Sequence, residues 1–209
     1  MSADRTLSLS LRVTSHDGRP DLDILLDGRP AFSDVAPGWK GFDPDHMLGV
    51  DSPLLPVPGG RWVALNRCTC GEPGCGTVAA WVEPSADGAR VAWSDFRDFV
   101  GVFHRPVVDE ITDVEVAHSK PWDLPSLHFD RTQYVAEVER ASADRSWETP
   151  GRTTARLLHE RLALTQPVLP GGLTLVWVTP MWEGGDGIAV GFQGTWSTHR
   201  GASSSSSSD

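Results

Sequence analysis

Three cysteines fall close together in Cys68-Thr69-Cys70-Gly71-Glu72-Pro73-Gly74-Cys75, and the chain has no others. Thiols at this spacing suit a metal that prefers sulfur, above all zinc, which takes four N or S donors at about 2.0–2.3 Å in a tetrahedron. Gly71 and Gly74 let the backbone turn sharply around such an ion, and Pro73 lowers the entropy of the open loop. Three thiolates do not close a structural site, so a fourth donor must come from elsewhere in the chain. His104, His118 and His128 are the candidates. His104 follows the strands nearest the cysteines, whereas His118 and His128 lie in the connection to the first long helix. The expected ligand set is therefore Cys68, Cys70, Cys75 and His104 around a structural zinc ion. Free thiols in a turn, a disulfide, an iron–sulfur centre and a reactive thiol are the competing outcomes for the same triad. Of these the disulfide is disfavoured in a reducing compartment.

The string Cys-x-Cys-Gly-x-x-x-Cys resembles the zinc-binding knuckle that follows the catalytic domain of histone lysine methyltransferases. That resemblance implies metal chemistry and not methyl transfer, because nothing else in the chain is similar to that domain. The knuckle, followed by Val91-Ala92-Trp93-Ser94-Asp95-Phe96 and then Phe129-Asp130-Arg131-Thr132-Gln133-Tyr134, also resembles a group of uncharacterised bacterial proteins over residues 27–141. It carries no activity with it.

Other reactive constellations are missing from the sequence. There is no Walker or Rossmann glycine loop, no His-Glu-x-x-His and no Gly-x-Ser-x-Gly. The glycines around residue 184 belong to a hairpin turn. A catalytic zinc would need an open position and a nearby base. Glu72 and Glu83 are the nearest carboxylates in sequence, and both read more simply as surface groups. A Cys75–His104 nucleophile pair is the remaining catalytic option.

Charge narrows the partners. The chain has 28 acidic and 18 basic residues, a formal charge of −10, which repels a phosphate backbone over most of the surface. A run without a single base contains Asp109, Glu110, Asp113 and Glu115; it is either a solvated edge or a face for a basic protein partner. Nucleic acid and membrane are not expected partners. Residues 1–11 alternate polar and apolar types without a signal-like apolar stretch, and no window approaches the ~18 apolar residues of a membrane helix. Cytoplasmic is the expected location.

The elements that must position the cysteines follow from periodicity. Residues 6–14 alternate in the period of a half-buried strand, with Leu7, Leu9, Leu11 and Val13 on one face. His16-Asp17-Gly18-Arg19-Pro20 supplies a turn into a second strand at 21–26, and Asp27-Gly28 marks another turn. Residues 29–60, rich in proline and glycine, read as a long ordered loop packed by Trp39, Phe42, Met47 and Leu48. Strands are expected at 61–66, 78–83 and 90–96, the last two joined through Asp87-Gly88, with further strands at 98–104 and 112–116. Asp130 and Gln133 resemble a capping box at the start of a helix carrying Tyr134, Val135, Val138 and Ala141. Thr149-Pro150 starts a second helix reaching about Leu162, with Ala155, Leu158 and Leu162 on one face. Residues 173–178 and 188–192 form a final hairpin across a turn at 183–187.

The expected fold is thus α+β, mostly an antiparallel β-meander with two late helices and a C-terminal β-hairpin. Its organisation is a β-rich domain at 1–145 with the knuckle, a helix plus hairpin at 146–202 and a disordered tail at 203–209. At 209 residues the chain buries enough surface to fold without a covalent staple. Nine tryptophans against one tyrosine read chiefly as packing, with an exposed sugar-binding platform as the alternative. Three function classes follow: a binding or accessory protein with a structural metal, a metal-dependent hydrolase, and a carbohydrate-binding β-module.

Overall fold

The computed structural model describes residues 5–193, apart from 17, 50, 71–73, 109, 166–168 and 181–186. The expected tail at 203–209 and most of the expected turn at 183–187 lie outside the described residues. The chain divides into two compact units, Met1–Trp147 and Glu148–Asp209. The architecture is α+β, with mostly antiparallel sheets.

In the first unit the opening alternation produces two strands instead of one, β1 (Thr6–Leu7) and β2 (Leu9–His16). The break falls at Ser8. Its N–H donates to Asp27 Oδ1 at 2.9 Å and its carbonyl accepts from Asp27 N–H at 2.9 Å. β1 then runs parallel to β9 (Leu127–Asp130), while β2 pairs antiparallel with β3 (Arg19–Leu26). Asp27 and Gly28, at φ 50° and 79°, turn the chain into β4 (Arg29–Pro30). Two successive positive φ values are the signature of a tight hairpin turn, and Asp-Gly tolerates them. Residues 29–60 are largely irregular, as expected, with one short helix, α1 (Pro44–Met47). Phe32, Phe42, Met47 and Leu54 bury themselves beneath this segment.

The central sheet is built by β5 (Arg61–Arg67), β6 (Thr77–Pro84) and β7 (Arg90–Asp98), in a meander. Its strand order is β1-β9-β7-β6-β5, with β8 (Lys120–Pro121) also on β7. Val63, Ala64 and Leu65 in β5, and Thr77 to Ala80 in β6, are buried in unbroken runs. Consecutive buried residues mean that both faces of these strands are covered, which the alternating pattern of a one-sided sheet does not produce.

Two expected strands are absent. Residues 99–106 form turns, and 112–116 belong to a helix, α2 (Asp113–His118). Thr112 Oγ1 accepts from Glu115 N–H at 3.2 Å while Glu115 accepts from Thr112 N–H at 2.8 Å, a complete capping box.

The first late helix, α3 (Arg131–Ala143), starts where expected, with Asp130 Oδ1 accepting from Gln133 N–H at 2.9 Å. Tyr134, Val138 and Ala141 are its buried residues. Its polar face has a task the sequence did not suggest. The Gln133 amide accepts from Leu9 N–H and donates to Leu9 C=O, Glu137 accepts from Leu11 N–H at 2.6 Å, and Arg140 donates to Leu11 C=O at 2.7 Å. Helical side chains thereby satisfy the outer backbone groups of β2, which would otherwise be an open edge.

In the second unit, α4 (Pro150–Thr165) packs on β10 (Thr174–Pro180), which pairs antiparallel with β11 (Ile188–Gln193). Ala155 is buried and Leu158 and Leu162 are half-buried, while Leu157 is exposed. Arg156 pairs with Glu160 one turn on at 3.0 Å, as its spacing suggests. Arg156 is half-buried, because it also holds the buried Glu148 carboxylate at 2.8 Å. Trp177 lies across its cross-strand partner Gly191, where any added methyl would clash with the indole.

The buried centre of the first unit is held by one phenol. The Tyr134 phenol oxygen accepts from Trp93 Nε1–H at 3.1 Å and its O–H donates to the Leu54 carbonyl at 2.9 Å, joining helix, sheet and irregular segment. Burial pushes this phenol well above its usual range, so it stays neutral. Tyr134→Phe strips both partners of a bond without changing the ring. It is expected to lower unfolding stability by about 2 kcal/mol, measured by denaturant titration. A loss under about 0.5 kcal/mol would contradict the accounting.

Candidate metal centre

The cysteine loop is the connection between β5 and β6. The last bond of the ladder is Cys68 N–H to Gly76 C=O at 2.9 Å, so Cys70 and Cys75 stand beyond the end of the paired strands. Each strand is fixed just before it enters that loop. On the β5 side, Arg67 exchanges two backbone bonds with Lys40, at 2.8 and 3.1 Å, and its guanidinium reaches Asp21 at 3.1 Å and the Gly41 carbonyl at 3.0 Å. Asp21 is 3% exposed, and Lys40 Nζ lies 3.9 Å from its other oxygen. A buried carboxylate survives because two cations face it.

On the β6 side, the fully buried Thr77 takes three bonds. Its N–H donates to Asp98 Oδ1 at 2.8 Å, its hydroxyl accepts from Phe99 N–H at 3.1 Å, and its carbonyl accepts from Trp122 Nε1–H at 3.0 Å. These bonds bring the turn that leaves β7 against the loop. There Gly101 N–H donates to the Gly74 carbonyl at 2.7 Å.

Within this frame the sulfurs of Cys68, Cys70 and Cys75 all lie within 4.8 Å of one another, close enough to hold a metal ion. Cys70 is exposed, the other two are half-buried, and none is in a disulfide. Cys70 and Cys75 Sγ are 2.6 Å apart. Hydrogen bonding with Cys70, then with Cys68, and a smaller cost of burial push the Cys75 thiol up to about 12. A metal that enters therefore displaces a proton shared among the sulfurs. The donor set itself is soft, three thiols and no carboxylate, and this chemistry fits zinc or another thiophilic ion.

The histidines separate clearly. His104 stands beside the loop: a methyl group at Gly74 would be 3.4 Å from its Nδ1 and 3.3 Å from the Phe103 carbonyl. Gly74, at φ 71°, is thus required by conformation and by space. His104 does not join the sulfurs within 4.8 Å, nor does any other histidine or carboxylate among the described residues. His128 sits in β9 opposite Ala92, which faces Glu83 in β6. That is six residues along β6 from Thr77, roughly 20 Å at strand rise. The same distance removes Glu83 as a base for chemistry at the cysteines; its carboxylate instead accepts from Trp81 Nε1–H at 3.3 Å. His118 is exposed in the last turn of α2. Gly71, Glu72 and Pro73 lie outside the described residues.

Sequence reading missed the aromatic floor of this site. Trp39, from the irregular segment, lies on Gly76, where a methyl would be 2.8 Å from the indole and 3.5 Å from Cys68 Cβ. Trp122 meets Trp39 edge-to-face at 5.7 Å. Trp62 and Trp81 also meet at 72°, and Trp93 is fully buried. A sugar platform needs exposed, coplanar rings, whereas these pairs are crossed and at least half-buried.

Gly76→Ala should lower stability by about 1–3 kcal/mol through overpacking against Trp39. In a Trp39→Leu background the same change should cost clearly less. Equal losses in both backgrounds, read by thermal or urea unfolding, would show that the indole is not the obstacle.

No protein-family model, curated protein or solved structure matches this chain.

Proposed function

We propose that the chain is a cytoplasmic binding or accessory protein whose β-rich unit is stapled by a structural zinc ion. Cys68, Cys70 and Cys75 are three ligands and His104 is the fourth. The observation that carries this reading is the convergence of three sulfurs at the end of a hairpin whose two strands are independently fixed by Asp21–Arg67 and by Thr77. The similarity of the string to the knuckle of histone lysine methyltransferases points to the same metal. His104 is the histidine whose turn meets the loop, through the Gly101–Gly74 bond and with its Nδ1 3.4 Å from where a methyl at Gly74 would stand. Bound there, the ion would join the β5–β6 loop to the turn that leaves β7.

The purified chain should then carry one zinc ion. Chelation should lower its melting temperature, because a ligand that binds only the folded state adds its binding free energy to stability. Cys70→Ser and Cys75→Ser should each lose the metal. Elemental analysis showing none after growth and purification with zinc would end the proposal.

The partner is a basic protein that meets the acidic surface. A charge of −10 steers such a partner, and the steering is screened over about 8 Å at physiological salt. Of the acidic run, Glu110 and Asp113 are exposed, whereas Glu115 is committed to the cap of α2, which holds its carboxyl below the usual range. Glu110→Lys with Asp113→Lys should therefore slow association with a partner recovered by pull-down and weaken its salt dependence, leaving the melting curve unchanged. An unchanged association rate would remove this patch as the contact.

A further inference from the structure

A purely structural metal site does not require that one ligand be open to solvent. Here Cys70 is exposed, Cys68 and Cys75 are half-buried, and the Cys70 and Cys75 sulfurs are 2.6 Å apart. A disulfide has a length of about 2.05 Å. Two thiolates on one tetrahedral zinc with bonds of about 2.3 Å stand roughly 3.8 Å apart. Either state needs these two sulfurs adjacent, and they are already in contact. The chain has no cysteine outside the loop, so an intramolecular disulfide can form only among these three.

We infer that Cys70 is a peroxide-reactive thiol resolved by Cys75, so that oxidation and metal compete for the same two sulfurs. The competition rests on the zinc reading above; the pairing of the two thiols does not. In the first step the Cys70 thiolate attacks one oxygen of hydrogen peroxide. The O–O bond breaks, hydroxide leaves and Cys70 becomes a sulfenic acid. The Cys75 thiol then attacks that sulfur; an S–S bond forms, the S–O bond breaks, and the leaving hydroxide takes up the Cys75 proton as water. One thiolate and one thiol have together lost two electrons, and peroxide has become one hydroxide ion and one water. A zinc ion held by both sulfurs loses two ligands at once and is released. Exposure decides the order: peroxide reaches Cys70 before its half-buried neighbours. Trp39, lying on Gly76 beside Cys68 Cβ, places an intrinsic fluorophore at the base of the loop.

The test treats the zinc-loaded full chain with hydrogen peroxide and follows released zinc with a chromophoric chelator, intact mass and disulfide mapping. The expected result is zinc release matched by loss of two hydrogens and a Cys70–Cys75 cross-link, all reversed by dithiothreitol with added zinc. Cys68→Ser should still form that cross-link on oxidation. Cys70→Ser should form no Cys68–Cys75 bond on the same timescale, and a sulfenic-acid trap should label Cys70 in the Cys75→Ser chain. Mapping of a bond that includes Cys68, trap label chiefly on a residue other than Cys70, or oxidation to sulfinic acid without a disulfide would overturn the inference. If the chain takes up no zinc, the metal reading falls, and mapping on the metal-free chain decides the cysteine pair by itself.

Discussion

Thr77 is where the first unit is tied together. It is the first residue of β6 after the cysteine loop, it is fully buried, and its N–H and hydroxyl hold Asp98 and Phe99 at the end of β7 while its carbonyl holds Trp122. Together with the Gly101–Gly74 bond they lay the turn after β7 on the loop, and they anchor Trp122, which meets Trp39 edge-to-face. A buried hydroxyl and two buried backbone groups left unsatisfied cost more than the bonds contribute when made, so the arrangement is held in one form. On the opposite strand, the ion pair of Asp21 with Arg67 fixes the other end of the same loop. The cysteines converge because their two strands are clamped before the loop begins.

The sequence was most legible where local chemistry decides structure. Asp27-Gly28 turned as such pairs do, the Asp130 cap started α3, and the Thr149-Pro150 signal preceded α4, which begins at Pro150. It was least legible where a distant group claims a residue. Gln133 looked like the second half of a capping box, yet its amide is spent on Leu9, more than a hundred positions away in sequence. Residues 98–104 alternate like a strand, but Gly101 gives its N–H to Gly74 and adopts φ 80°, which ends any ladder. Thr112 and Glu115 are a capping box in plain sight. The helix they start stands where a strand was expected, because the cap satisfies its first N–H groups locally.

The candidate site divides along the same line. Three cysteines could be read from spacing alone, since a short loop forces them together. The choice among His104, His118 and His128 depended on register: β9 carries His128 to the far end of the sheet, while the Gly74–Gly101 bond brings the His104 turn onto the loop. Trp39 and Asp21 gave no signal at all, because nothing in their neighbourhood in the chain marks them as parts of a site formed by residues 67–77. The acidic run shows the reverse case. Its four carboxylates look equivalent in sequence, but Glu115 is structural and only Glu110 and Asp113 remain as exposed charges among the described residues.

The central claim is that one ion is held by three sulfurs and one imidazole. X-ray absorption at the zinc edge of the loaded full chain measures that shell directly. The account predicts three sulfur scatterers at about 2.3 Å and one nitrogen at about 2.0–2.1 Å, with the nitrogen lost in His104→Ala. A shell in which His104→Ala changes nothing, or one with fewer than three sulfurs, would contradict it.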